Sequence, residues 1–403
     1  MTNRKNSREF YRIKRLPPYV FAEVNKVKAE ARARGEDIID FGMGNPDAPT
    51  PKHIVEKLRE TVLDPNTHGY SVSAGIKGLR KAISGYYERR FGVSINPETE
   101  ATVSQGSKEG LYHLATAITR PGDTILVSDP SYPIHVFGFI LAEASVRLLP
   151  KDFSCEDPGA LFLKQLKDAV ESMQPKPLAV VVNFPCNPTA EVTTLEFYEQ
   201  LVDFCRFHNI ILISDLAYCE IYFDEDNPPP SVLQVKGAKD IAVEFTTLSK
   251  TYSMAGWRIG FCCGNEEIIY ALKRIKSYLD YGGFTPVQVA GTAALNGPQD
   301  CVEEARQRYK SRRDIMVKGL NDAGWKVKEP KASMFIWAPI PKKLHHLGSL
   351  EFSKLLLEEA QVAVSPGIGF GQGGDDHVRI SLIENQHRSR QAIRNIKGFL
   401  KKY

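Results

Sequence analysis

The sequence predicts an α/β fold with a mainly parallel β-sheet in a large domain and a smaller α+β domain beside it. The first observation is a series of short, continuous apolar runs between about residues 100 and 290, which alternate with amphipathic stretches of helical length. Such runs are typical of parallel strands, because helices cover both faces of a parallel sheet. The second observation is the length of 403 residues, which exceeds what one hydrophobic core usually holds.

The strands of the large domain are predicted in chain order from these apolar runs. They are ATVSQG (101–106), TILVSD (124–129), VRLLP (146–150), LAVVVNF (178–184), IILISD (210–215), IAVEFTTLS (241–249) and WRIGFCCG (257–264). Helical patterns lie between them, such as KEGLYHLATAIT, IHVFGFILAEA and EFYEQLVDFCRFHN. Strands that alternate with helices in this way predict a doubly covered parallel sheet.

The C-terminal third of the chain has a different pattern. A long charged helix (301–323) is followed by the apolar segment KASMFIWAP, an amphipathic helix LEFSKLLLEEA and the segments VAVSPGIGFG and HVRISL. We expect residues 296–403 to form the small domain and residues 48–295 the large one. Residues 1–47 are expected to supply an N-terminal arm and part of the small domain, since small domains are often discontinuous.

Composition excludes several classes of protein. The net charge of +4 is small for a nucleic-acid-binding surface, and no apolar run approaches the ~20 residues of a membrane helix. The seven cysteines form no CxxC pair and the nine histidines show no HxH or HExxH spacing, so we expect reduced thiols, a cytoplasmic protein and no metal site. The basic start MTNRKNSREFYRIKRL lacks an apolar region and is predicted to be a solvated arm.

Polar residues that could take part in catalysis or ligand binding follow four of the predicted strands. They are Gly106-Ser107-Lys108, Asn187, Asp215 and Ser249-Lys250. In parallel sheets, ligands bind just beyond the carboxyl ends of the strands. We therefore expect these residues to line one site at one edge of the sheet.

The stretch TTLSKTYSMAGWRIGF (246–261) contains Lys250 and Arg258 with no acidic residue between them, which predicts a pocket rather than a charged surface. A buried lysine near positive charges is nucleophilic and could form a Schiff base with an aldehyde cofactor. Ser107 at a strand-to-helix junction, with Ser249 and Arg258, would suit a phosphate. A buried Asp215 needs a cationic partner, such as a protonated pyridine nitrogen.

Each of these features alone also has an ordinary structural explanation, such as a helix cap, a turn or an ion pair. Together, and in this order, they resemble the class I/II aminotransferases, which use pyridoxal 5′-phosphate (PLP). The similarity extends from about Ile38 to Arg394, and SKTYSMAGWRIG is its most specific motif. It implies the fold type I architecture with a seven-stranded sheet in the large domain, and a homodimer with shared active sites.

The resemblance implies a role for each matching residue. Lys250 would hold the cofactor covalently and act as catalytic base, Asp215 would pair with the pyridine nitrogen, and Tyr132 in DPSYP would stack on the ring. The phenolic oxygen would be contacted by Asn187 and Tyr218, with Tyr218 also counted as catalytic. Positions matching phosphate contacts are Ser107, Lys108, Thr247, Ser249, Arg258 and, from the neighbouring subunit, Tyr70. Positions matching substrate contacts are Gly44, Asn187 and Arg379, of which Arg379 would bind the α-carboxylate.

The motifs DPSYPIH, NPTA, SDLAY and SPGIGFG are most similar to bacterial glutamate–pyruvate (alanine) aminotransferases. NPTA replaces the commoner NPTG of the family, DLAY replaces DEAY, and Thr247 stands where many members have serine. The implied reaction is reversible amino transfer between L-alanine and 2-oxoglutarate through a ping-pong mechanism. A distal carboxylate would need a cation, but KSYLDYGGF (276–284) contains no arginine and only Lys276. Either another donor, from Tyr19 or the partner subunit, binds that carboxylate, or the amino donor is not acidic.

Three alternatives stay open at this stage. An LL-diaminopimelate or aspartate aminotransferase would differ only in side-chain specificity. A PLP-dependent C–S lyase of the same fold would share nearly every cofactor contact. A transcription regulator with this fold would carry an N-terminal DNA-binding domain, for which the ~45 residues before the motifs leave no room.

Overall fold

The computed structural model describes residues 10–403. The predicted N-terminal arm falls in part on residues 1–9, which lie outside the described residues. The described part of the chain forms these β-strands: β1 (Ile39–Asp40), β2 (Ala101–Ser104), β3 (Thr124–Asp129), β4 (Ser145–Pro150), β5 (Ala179–Asn183), β6 (Ile211–Asp215), β7 (Ala242–Thr247), β8 (Gly260–Gly264), β9 (Phe335–Pro339), β10 (Val362–Ala363), β11 (Ser365–Pro366) and β12 (His377–Ser381).

The α-helices surround these strands. In chain order they are α1 (Tyr11–Lys14), α2 (Val20–Ala33), α3 (Lys52–Val62), α4 (Lys77–Phe91), α5 (Ser107–Ile118), α6 (Pro133–Leu141), α7 (Pro158–Ser172), α8 (Leu195–His208), α9 (Leu248–Thr251), α10 (Glu266–Leu279), α11 (Thr285–Asn296), α12 (Asp300–Asp322), α13 (Gly348–Ala360) and α14 (Gln386–Leu400). None of the helices in residues 10–403 is both long and apolar enough to cross a membrane.

The large sheet has seven strands in the order β2-β8-β7-β6-β5-β3-β4. Only β8 runs antiparallel to its neighbours, and the pairs β7–β6, β6–β5, β5–β3 and β3–β4 are parallel. The prediction of a mainly parallel seven-stranded sheet is confirmed. Apolar side chains are buried on both faces of this sheet, so every residue of β5 and β7 is buried.

A second set of strands belongs to the C-terminal part of the chain. Strands β11, β12 and β9 form an antiparallel sheet, and β1 pairs in parallel with β10 through Ile39 and Val362. A separate apolar cluster, which includes Trp325, Phe352 and Phe399, packs around these strands. The N-terminal segment is therefore tied to the C-terminal part by strand pairing. The domain boundaries themselves stay a prediction.

Two predicted strands are shorter than expected where they meet the site. IAVEFTTLS was expected to be extended throughout, but β7 ends at Thr247, whose hydroxyl caps the short helix α9. WRIGFCCG was expected to start a strand at Trp257, but that residue lies in a 3-10 turn and Arg258 has φ of +59°. These departures from extended backbone turn Ser249, Lys250 and Arg258 away from the sheet toward a common cavity.

Candidate active site

The carboxyl ends of the parallel strands open into a cavity of about 480 Å³. Strand register places the site residues side by side, because Asp215 at the end of β6 lies opposite Asn183 on β5 and Phe245 on β7. The cavity is lined by thirteen of the fourteen predicted site residues: Tyr19, Gly44, Ser107, Lys108, Tyr132, Asn187, Asp215, Tyr218, Thr247, Ser249, Lys250, Arg258 and Arg379. The fourteenth, Tyr70, lies outside it.

Lys250 lies on α9, and its ammonium group donates to the Gly44 carbonyl at 2.6 Å. Burial, together with the positive charges of Arg379 and Arg258, lowers the pKa of Lys250 to about 8. No carboxylate in residues 10–403 pairs with it to oppose these effects. About a tenth of Lys250 is therefore an uncharged, nucleophilic amine at pH 7, far more than for an unperturbed lysine.

Asp215 is 4% exposed, and one of its oxygens, Oδ2, lies 2.9 Å from Nε2 of His135. The Asp215 backbone carbonyl accepts from the Asn183 amide at 2.7 Å, and Asn183 Oδ1 accepts the Asn187 N–H at 2.8 Å. His135 and Asn183 were not among the predicted site residues. The segment DPSYPIH contains His135 one helical turn after Tyr132, but nothing in the sequence pairs it with an acid 80 residues later.

Gly106 and Arg258 form a corner beside the start of α5. Gly106 has φ of +88°, and a Cβ there would lie only 2.2 Å from Arg258 Nη2, so no larger residue fits without displacing the guanidinium. Arg258 donates to the carbonyls of Ala255 (2.8 Å) and Gln105 (3.3 Å), and it has no carboxylate partner in residues 10–403. The free N–H groups of the helix start and this cation suit a phosphate.

The hydroxyls of Thr247 and Ser249 complete the same corner. They lie 2.9 Å apart, and Thr247 also donates to the Ile259 carbonyl at 2.8 Å. Both side chains are buried. The Thr247 hydroxyl has one proton for two possible acceptors, the Ser249 hydroxyl and the Ile259 carbonyl. Its oxygen also accepts the Ser249 N–H, and these contacts fix the position of Ser249.

Arg379 is a buried guanidinium with no acidic partner among the described residues. It donates from Nη1 to Asn187 Oδ1 at 2.8 Å, and its Nε has no hydrogen-bond partner. The rings of Phe335 and Phe370 lie 4.2 and 4.7 Å from its central carbon. Burial lowers the pKa of Arg379 to about 10, yet the group stays cationic at neutral pH. Such a cation needs an anion from a ligand, and a carboxylate matches its fork.

Tyr132 and Tyr218 form an aromatic part of the lining. Burial raises the pKa of both phenols, so both hydroxyls stay protonated donors at neutral pH. The Lys108 ammonium lies 5.8 Å above the Tyr132 ring, and the Tyr218 ring packs edge-on against Phe335 with centroids 5.3 Å apart.

Lys276 does not line this cavity. Its side chain is 1% exposed, and the ammonium lies 2.9 Å from Asp280 and 3.5 Å from Glu109. Glu109, His113 and Asp280 have ligand atoms within 4.8 Å of one another, but Lys276 already provides the cation there. Lys276 is therefore unavailable to a substrate in the cavity, and the prediction that the protein has no metal site stays a prediction.

Tyr70 is 90% exposed, and its ring lies 4.8 Å from that of Tyr281. The exposed surface around it continues with Tyr278 and Leu279. Within one chain, Tyr70 contacts none of the groups of the cavity described above. Its predicted role would require a second copy of the chain.

Comparisons with known proteins agree with the geometry. A model of the family "Aminotransferase class I and II" matches residues 36–396. The chain is 54% identical over 401 residues to the glutamate-pyruvate aminotransferase AlaC of Escherichia coli K12, covering 100% of this chain and 96% of AlaC. It is 40% identical to an LL-diaminopimelate aminotransferase of Moorella thermoacetica, covering 98% and 99% of the two chains. The substrate-bound structure of BacF from Bacillus subtilis superposes with a TM-score of 0.87 at 37% identity, covering 98% of both chains.

Proposed function

The chain belongs to the class I and II aminotransferases, and from this premise we propose that it transfers amino groups between L-alanine and 2-oxoglutarate, reversibly and by a ping-pong mechanism. The enzyme is an aminotransferase, so its substrates are amino acids and 2-oxo acids. The choice of alanine and glutamate is supported by 54% identity to AlaC over the full chain, against 40% to the LL-diaminopimelate enzyme. The proposal depends most on Lys250, an amine of lowered pKa in a cavity with two arginines, Arg258 and Arg379, that pair with no carboxylate among residues 10–403.

We propose PLP as the cofactor, and the residues present fit it. Ser107 at the start of α5 and Arg258 line the cavity as donors for a phosphate, and Asp215 supplies a buried carboxylate for a pyridinium nitrogen. The chemistry that bound PLP supplies is an aldehyde for exchange with amines and a ring that accepts electrons from the substrate's Cα. The residues proposed to hold it are Ser107, Lys108, Tyr132, Asn187, Asp215, Tyr218, Thr247, Ser249, Lys250 and Arg258, with Tyr70 from a second copy.

Lys250 is proposed to move the proton of the reaction. An amine with a pKa of about 8 accepts a proton from the substrate Cα and returns it without a large free-energy cost near neutral pH. Its bond to the Gly44 carbonyl holds the side chain inside the cavity. Asp215 would pair with the ring nitrogen of the cofactor, with His135 as a hydrogen-bond partner that fixes the carboxylate's orientation.

Arg379 is proposed to bind the α-carboxylate that every substrate shares. Its Nε lacks a partner, and the protein supplies no competing acid among residues 10–403. Two parallel N–H···O bonds would fix the substrate's orientation and so bring Cα within reach of Lys250. Gly44 keeps the space beside Arg379 free of a side chain. A Cβ at Gly44 would lie 3.1 Å from the Phe335 ring and 3.7 Å from Arg379 Nη2.

The distal carboxylate of glutamate needs a different donor, because Lys276 points away from the cavity. We propose Tyr19, which lies on the lining and is 66% exposed. Lys108 also lies on the lining, is exposed, and makes no ion pair among the described residues.

We propose that two copies assemble into a homodimer with shared sites. Tyr70 and Tyr281 are loop residues, 90% and 64% exposed, whose rings lie 4.8 Å apart, and Tyr278 near the end of α10 is 75% exposed, so one chain leaves these aromatic side chains open to solvent. We also propose the cytoplasm as the compartment, because all seven cysteines are free thiols. We also propose the domain division into residues 1–47 (N-terminal arm and part of the small domain), 48–295 (large domain) and 296–403 (small domain).

The proposed function is tested with the purified, cofactor-loaded protein and single amino acids. L-alanine and L-glutamate should each convert the absorbance of the aldehyde form to that of the amine form, and LL-diaminopimelate and aspartate should not. Two-substrate initial rates should give parallel lines in double-reciprocal plots. A Lys250→Ala variant should retain the cofactor and lose turnover. Converging lines, or an active Lys250→Ala variant, would overturn the proposal, and pyruvate and ammonia from cystathionine without an acceptor would indicate a lyase.

A further inference from the structure

Helix α2 contacts the surroundings of Arg379 at two points. Phe21 and Lys28 are seven residues apart, which is about two turns and places them on one face of the helix. The Phe21 ring packs edge-on against Phe370, with centroids 5.3 Å apart, and Phe370 in turn covers the Arg379 guanidinium. Lys28 is linked to Arg379 indirectly, through a series of polar contacts.

The first of these polar contacts is a buried ion pair. Lys28 Nζ lies 2.7 Å from Asp40 Oδ2, with side-chain exposures of 11% and 15%. Arg32, which is 50% exposed, lies farther from the same oxygen at 3.5 Å. A buried pair is weak evidence for stability, because the two charges lose their hydration. Its other contacts therefore show more about its role than the pair itself.

Asp40 uses its second oxygen on the backbone next to Arg379. Oδ1 accepts the Gly42 N–H at 3.0 Å. The Gly42 carbonyl accepts from Arg379 Nη2 at 3.1 Å and from the Ser365 hydroxyl at 2.6 Å. An unbroken series of polar contacts thus runs from Lys28 through Asp40 and Gly42 to Arg379.

The orientation of Arg379 depends on neutral oxygens only. Its acceptors are the Gly42 carbonyl, the Ser365 hydroxyl at 3.3 Å and the Asn187 amide oxygen, and no described carboxylate contacts it directly. Neutral acceptors hold a guanidinium less firmly than a carboxylate would. A shift of Gly42 would therefore turn the fork away from a substrate.

We propose that Asp40 and Lys28 are positioning residues that hold the Gly42 carbonyl against Arg379 and so set the affinity for the α-carboxylate. The inference rests on the proposed role of Arg379. Lys28 balances the charge of Asp40, which lets the carboxylate stay buried and keep its bond to Gly42. Lys28 and Asp40 also line the cavity, but they bond to each other and to Gly42 rather than to Lys250, so their effect falls on substrate binding rather than on the chemical step.

The test compares Asp40→Asn, Lys28→Met and the double variant with wild-type enzyme. Asp40→Asn should raise KM by about tenfold, the loss expected when hydrogen bonds to charged groups weaken. The factor should be equal for alanine, glutamate, pyruvate and 2-oxoglutarate, with kcat within about twofold and cofactor absorbance unchanged. The double variant should lose no more than the worse single variant, because both act through one pair. Glu30→Gln, which breaks the exposed Lys26–Glu30 pair on the same helix, is the matched control and should leave KM unchanged.

A binding measurement separates positioning from general damage. Unreactive 2-methylalanine and 2-methylglutamate, which lack a Cα hydrogen, should bind to Asp40→Asn about tenfold more weakly by calorimetry, while its thermal midpoint stays near that of the control. Wild-type-like KM values in Asp40→Asn would overturn the inference. So would a loss confined to the dicarboxylic ligands, which would make Lys28 a contact of the distal carboxylate. If wild-type enzyme transaminated neither alanine nor glutamate, the proposed function would fail instead.

Discussion

Glu244 is a fully buried carboxyl group in β7, and it makes the stability of the protein depend on pH. Its Oε1 accepts from the hydroxyls of Tyr87 (3.1 Å) and Ser231 (2.5 Å), and its Oε2 from the Ser214 hydroxyl (3.0 Å) and the Val232 N–H (3.1 Å). No cation in residues 10–403 pairs with it. Burial raises the pKa of Glu244 from 4.5 to about 7, even though the four hydrogen bonds act in the opposite direction.

Because the pKa of Glu244 is higher in the folded chain than in the unfolded chain, the protein loses stability as pH rises. Between pH 4.5 and about 7 the unfolded chain releases the Glu244 proton while the folded chain retains it, so the free energy of unfolding falls as pH rises. At about 1.36 kcal/mol per pH unit, the cost stays below about 1 kcal/mol at pH 5 and reaches about 3 kcal/mol at pH 8. Glu244→Gln removes the ionisation, and the hydroxyls of Tyr87 and Ser231 can rotate to accept from the amide.

The assay is denaturant unfolding of the cofactor-free protein at pH 5 and pH 8. The difference in unfolding free energy between Glu244→Gln and wild type should become more favourable to the variant by about 2.5 kcal/mol from pH 5 to pH 8. Glu225→Gln, at an exposed carboxylate, is the control and should show no such change. If Glu244→Gln destabilised the protein equally at both pH values, Glu244 would be ionised in the folded state and the reasoning would be wrong.

Three other predictions concern the cavity. Gly106→Ala should weaken cofactor binding at least tenfold in equilibrium titrations, because its Cβ would displace Arg258 and strain a backbone at φ of +88°, at a cost of about 1–3 kcal/mol; unchanged affinity would contradict this. Arg379→Lys should lower kcat/KM at least about tenfold for every substrate, since a point charge replaces a fork; a loss for one substrate only would refute a shared carboxylate contact. Stopped-flow uptake of PLP by cofactor-free protein should speed up as pH rises through about 8 and level off above it, because the neutral Lys250 amine reacts; a rise that continued to pH 10.5 would show an unperturbed lysine.

Much of the fold and of the site could be predicted from sequence, because the signals are local. Continuous apolar runs show strands that are buried on both faces, and the polar residue that ends such a run must lie at the sheet's edge. Asp215 and Lys250 were placed in this way, and the structure brings both to one cavity. Backbone detail was less accessible, as shown by Thr247, where a side-chain cap ends the strand two residues early.

What the sequence could not show is which distant residues meet. Lys276 follows a helical pattern near the site, but its face on α10 turns it toward Glu109 and Asp280. His135, on α6, reaches Asp215 at the end of β6 only through the packing of α6 against α5, β3 and β4. Such pairings depend on helix rotation and packing, which no local pattern specifies.

The large sheet and the types of residue at its carboxyl edge can be derived from sequence, because periodicity and strand-end position are properties of neighbouring residues. The pKa values of those residues and the hydrogen bonds that orient them depend on the folded structure. Lys250 has a lowered pKa because the fold buries it and places Arg379, 129 positions later, against the same cavity. Asp40 is linked to Arg379 through Gly42 because β1 pairs with β10, and desolvation and packing between distant segments fix both effects.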